Sequence, residues 1–119
     1  MNEIKTESMN QKKELSDRDA EKIMECIGDL YRQTKLRVDL AEHDAPNRMP
    51  SPQCLDDRSF LYKIDRSLQN CQKETQLVIR KQYLEISDKN WYEEFFSKPG
   101  FRKILLKSIR ELFEVMDLA

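Results

Sequence analysis

The chain has 119 residues, with 21 Lys+Arg against 22 Asp+Glu, a single His and a net charge of −1. A chain of this size holds one small domain. No apolar run nears the roughly 20 residues of a membrane span, the balanced charge argues against a broad basic surface that coats nucleic acid, and three cysteines without a CxxC argue against a disulfide scaffold or a zinc finger.

With only two Gly and four Pro in a sequence that is 36% charged and 39% hydrophobic, long amphipathic helices are expected. Residues 1–15 are polar, without periodicity, and read as a frayed tail. They carry no apolar stretch of the signal-peptide kind, and the odd, unpaired-looking cysteines Cys26, Cys54 and Cys71 make a reducing cytoplasm the expected compartment. Ser16 followed by Asp19 marks a helix start, and Asp17, Asp19 and Glu21 suit the positive end of its dipole. Over 16–44, Ile23, Ile27, Leu30, Thr34, Val38 and Ala41 recur at spacings of four and three, widened by Met24 and Tyr31. Gly28 inside this helix predicts a close crossing by a neighbour.

Pro46, Pro50 and Pro52 then predict an extended connector over 45–55, because each Pro also drives its predecessor out of the α region. From Asp56 or Asp57 a second helix is expected to bury Phe60, Leu61, Ile64 and Leu68. After Asn70-Cys71 a third carries Leu77, Val78, Ile79, Tyr83 and Leu84. Ser87-Asp88-Lys89-Asn90 reads as a turn, followed by a short helix with Trp91, Tyr92, Phe95 and Phe96. Ser97 should cap the last helix, with Pro99 in its first turn, where a missing N–H costs nothing. Its apolar positions run from Phe101 through Ile104, Leu105, Ile109, Leu112 and Phe113 to Met116. No segment alternates with period two, so the fold is expected to be all-α: a small helical bundle with a long N-terminal helix and a helix-turn-helix-like unit of three to four helices over 56–119. Trp91, Phe95, Phe96 and Phe101 flank one tight turn and are expected at the centre of the C-terminal core.

Little points to catalysis. His43, the one imidazole, falls at the end of a helix beside Asp44. Glu93-Glu94 and Asp56-Asp57 are adjacent, so on a helix they point about 100° apart and cannot converge on one substrate atom. No glycine-rich phosphate cradle is present, and His43, Cys54 and Cys71 lack metal-ligand spacing. Neither an enzyme nor a bound cofactor or metal is expected.

The charge is unevenly spread: residues 1–57 carry nine basic and thirteen acidic side chains, and residues 58–119 twelve and nine. Segment 97–110, SKPGFRKILLKSIR, contains Lys98, Arg102, Lys103, Lys107 and Arg110 and no acid. These five residues are the candidate DNA contacts. Basic residues come first on this helix and Glu111, Glu114 and Asp117 last, the reverse of what the helix dipole favours. Phosphates near its first turns would offset that mild penalty.

The stretch from Cys71 to Met116 resembles the region-4-type helix-turn-helix of sigma factors and of small phage late-operon regulators, and more specifically an uncharacterised family of small mycoplasma and spiroplasma proteins. Tyr83 and Leu84 match a "YL" pair, Trp91, Tyr92, Phe95 and Phe96 an aromatic helix, and Ser97 and Lys98 the turn. Phe101 and Arg102 match the start of the recognition helix. The resemblance implies a transcription-associated protein whose partners are duplex DNA, RNA polymerase or another transcription protein. Pro99-Gly100 stands where such families carry polar residues that touch DNA, and neither offers a side-chain donor. The alternative is a non-catalytic protein-interaction module without DNA binding. The first helix would then pack on its own chain, giving a monomer, or on a copy of itself, giving a weak homodimer.

Overall fold

The computed structural model describes residues 15–44 and 49–117. The fold is all-α: α1 spans Asp17–Asp44, α2 Pro52–Gln69 and α3 Lys73–Ile79. A π-helical turn over Arg80–Leu84 extends α3, a single 3-10 turn follows at Trp91–Glu94, and α4 runs from Lys98 to Val115. No strand occurs among the described residues. The tail expected at 1–15 lies outside them except for Leu15, as do residues 45–48 of the expected connector.

The ends of the helices follow from local chemistry. Ser16 Oγ accepts from the amide of Asp19 at 3.1 Å and opens α1. The second helix begins earlier than Asp56 or Asp57 would place it. Ser51 caps it by accepting from Cys54 N at 3.1 Å, and Pro52 sits in the first turn, where proline's fixed φ suits the helix. The same pair of devices opens α4, where Ser97 Oγ accepts from Gly100 N at 3.2 Å with Pro99 in the first turn. Helix α3 has no side-chain cap of its own. Glu111 of α4 supplies one instead, accepting from Gln72 N at 2.9 Å and from the Thr75 hydroxyl at 2.5 Å. A carboxylate there meets both the free amides and the positive end of the dipole.

The core is built by all four helices, with Met24, Ile64, Leu68, Val78, Ile79, Ile109, Leu112 and Phe113 almost wholly buried. The buried face of α1 is rotated from the expected stripe. Ala20, Met24, Gly28, Tyr31, Thr34 and Val38 face inward, whereas Ile23, Leu30 and Ala41 are exposed. Ala20 and Gly28 decide the rotation, because small residues let neighbouring backbone approach. A Cβ on Gly28 would stand 2.8 Å from the Tyr83 carbonyl oxygen and 3.1 Å from Tyr83 Cβ, so the close crossing expected at this glycine is real. The π-helical turn closes with Glu85 N donating to Arg80 O at 2.8 Å, and the Tyr83 carbonyl accepts from the Arg32 guanidinium of α1.

The aromatic cluster does not form the centre of the core. Phe101 alone is buried, Trp91, Tyr92 and Phe96 are half-buried, and Phe95 is 59% exposed. Tyr92 stacks on Phe101 at 4.1 Å and Trp91 meets it edge-on at 5.6 Å. The physical reason is that 91–94 is one 3-10 turn rather than a helix, so the rings gather around Phe101 at the surface. Helices α3 and α4 already pack directly on each other. Leu77 likewise points outward from α3.

Candidate nucleic-acid interface and an apolar groove

Helix α4 presents its faces as the sequence predicts. Phe101, Leu105, Ile109 and Leu112 are buried, while Lys98, Arg102, Lys103 and Lys107 are exposed. The five candidate DNA contacts nevertheless divide into two sets. Arg102 is bonded to Glu21 of α1. Arg110, half-buried, donates to Asp17 at 2.6 Å and to the Leu15 carbonyl at 3.0 Å. Both arginines thus hold the first turns of α1 against α4. Lys98, Lys103 and Lys107 form no ion pair among the described residues and face solvent, the latter two one turn apart.

The element ahead of α4, where a helix-turn-helix places its first helix, is the four-residue 3-10 turn. Pro99 and Gly100 occupy the first turn of α4, with Gly100 N spent on its own cap. Backbone contact to phosphates is left to three lysines, and base reading has no suitable side chain in that turn.

Two polar clusters tie α1 to the rest of the molecule. Arg37 makes a bidentate pair with Asp57, donating from Nε and from its terminal nitrogen at 3.0 Å each, and Gln53 adds a bond at 2.9 Å. The guanidinium holds the Asp57 carboxyl below its ordinary range, against the opposing effect of burial. Tyr31 donates to Asp65 at 2.8 Å, and Arg80 lies 3.6 Å from the same carboxylate. Burial, and then the bond to Asp65, raise the Tyr31 hydroxyl. His43 is exposed in the last turn of α1. Cys54 and Cys71 are buried free thiols, and burial with the nearby Glu111 pushes Cys71 up to about 11.

One feature escaped the sequence reading. Beside Tyr31 a groove of about 620 Å³ separates the outer side of α1 from the chain that leaves the π-helical turn. Leu36 of α1 forms one wall and Leu84 and Ile86 the other, with Arg32, Lys35, Asp39 and Arg80 along its edges. Ile86 is 96% exposed and Leu36 59% exposed. The available signals were two: Leu36 lies off the buried stripe, and Ile86 stands alone between Glu85 and Ser87.

No family model, curated protein or solved structure matches the chain.

Proposed function

We propose that this protein is a non-catalytic helical module that works by binding a protein surface rather than by reading duplex DNA. The observation that carries this reading is the apolar groove whose rim residue, Ile86, is almost fully in water. Burying such a side chain is worth roughly 1.5–3 kcal/mol, and none of the described residues covers it. The use of Arg102 and Arg110 on Glu21 and Asp17 also supports it, since a DNA reader keeps its cations outward. An inert reading of the buried thiols agrees with the high Cys71 value, because the thiolate is the reactive form.

The transcription-associated reading is kept as a second proposal by one observation: Lys98, Lys103 and Lys107 lie on the solvent side of α4 without an ion pair among the described residues. Titration of labelled random duplex DNA, followed by fluorescence anisotropy from about 50 mM salt upward, separates the two. The interaction-module reading expects no salt-sensitive binding. Binding whose log affinity falls by about three units per unit of log salt, and which disappears when Lys98, Lys103 and Lys107 become Ala, would install the DNA reading in its place.

A further inference from the structure

We infer that the groove beside Tyr31 is a self-association site, and that its occupant is Ile86 of a second copy of this chain. The inference rests on the interaction-module reading and names the partner. Three observations lead to it. First, knob and hole lie side by side: Ile86 projects from the rim while Leu36 and Leu84 line the space next to it. A two-fold axis turns that adjacency into reciprocity, each Ile86 entering the other copy's groove, as a closed symmetric dimer requires.

Second, the charges on the groove side of α1 are self-complementary. Lys35 precedes Leu36 and Asp39 follows it by nearly a turn; within the chain they form an exposed ion pair at 3.7 Å, weak enough to exchange partners across an interface. An antiparallel copy of α1 across the axis sets each Lys35 against the other chain's Asp39, whereas a parallel copy sets like against like. Charge therefore favours the antiparallel over the parallel two-fold arrangement.

Third, the extent of the face sets the strength. It comprises little more than two turns of α1 and residues 84–86, a smaller patch than the roughly 20–30 residues a side of a stable complex. The expected product is a reversible dimer that fills only at high concentration.

Sedimentation equilibrium of the full chain, from roughly 10 µM to roughly 1 mM, tests this. The unaltered protein should move from 14.3 kDa toward twice that mass. Ile86→Asp should weaken association at least about tenfold, because a central anchor becomes a buried charge. Its circular-dichroism melt should match that of the parent, since residue 86 is exposed in the monomer. Lys35→Glu alone should weaken the dimer, and Lys35→Glu combined with Asp39→Lys should restore it. A single 14.3 kDa species through 1 mM overturns the inference, as does a dimer that Ile86→Asp leaves unchanged. The duplex titration above is read independently, so failure here leaves that result standing.

Discussion

Replacing Gly28 with Ala tests the crossing between α1 and the π-helical turn. In an open helix the change should stabilise by about 1 kcal/mol, because Ala is the better helix former. Here the new Cβ would meet the Tyr83 carbonyl oxygen at 2.8 Å and Tyr83 Cβ at 3.1 Å. Even weakly bonded C···O contacts sit at about 3.3–3.6 Å, so the two elements must part by roughly half an ångström. The obstacle is backbone, which cannot swing aside as a side chain can. Overpacking of this kind costs about 1–3 kcal/mol. Parting also stretches the bond from Arg32 to the Tyr83 carbonyl, a charged-donor bond worth about 1.5–3 kcal/mol. Set against the propensity gain, Gly28→Ala should destabilise by about 1–3 kcal/mol. With a urea slope of about 1–3 kcal/mol per molar, the midpoint of unfolding followed by circular dichroism should fall by roughly 1 M. A midpoint equal to or above that of the parent would show that α1 is free to move away, and the account of the rotated face would fail with it.

Phe113→Ala should cost about 3–5 kcal/mol in the same assay, because the ring is 2% exposed and belongs to the buried core cluster. Phe95→Ala should change stability by less than about 1 kcal/mol, since most of that ring is already in water. Acid titration should reveal the Arg37–Asp57 pair. The folded carboxyl titrates below its unfolded value of about 3.9, so its contribution is present above that pH and is lost as pH falls through the folded value. Asp57→Asn should flatten the acid limb of the stability curve below about pH 4; an unchanged limb would show that the pair does not form in solution.

The fold class and the ends of the helices were legible because they depend on local chemistry. Ser16 and Ser97 cap where they stand, and the Pro following Ser97 only confirms the start. The start of α2 was missed because Pro52 and Pro50 together look like breakers, although the first position after a Ser cap is where Pro is tolerated. The face of α1 was legible in part: Met24, Tyr31, Thr34 and Val38 lie on the expected stripe and are buried, but its centre is shifted away from Ile23 and Leu30. Hydrophobic periodicity weights Ile23 and Leu30 above Ala20 and Gly28, but close approach is controlled by the absence of side-chain volume. The 3-10 turn at 91–94 was read as helix because four aromatics within six residues suggest a stripe. Because α3 packs directly on α4, Trp91, Tyr92 and Phe96 reach only the edge of the core, and Phe95 stays in water. The groove was invisible because it joins residue 36 to residue 86, and no local pattern connects them.

The charge order of α4 ties these points together. Cations early and acids late on a helix oppose its dipole, and taken alone the sequence invites a phosphate to settle the imbalance. The chain settles it internally at three positions. Glu21 of α1 meets Arg102, and Asp17 meets Arg110. The late acid Glu111 turns to the N-terminus of α3, where a carboxylate is favoured and no other cap exists. Exposed pairs such as Arg102–Glu21 are worth only about 0.2–1 kcal/mol each, so their role is mainly to fix where α1 begins against α4. That anchoring sets the register by which Gly28 reaches Tyr83, and so places Leu36 opposite Leu84 and Ile86. Two of the five cations of the basic window thus clasp α1, while Lys98, Lys103 and Lys107 stay in water.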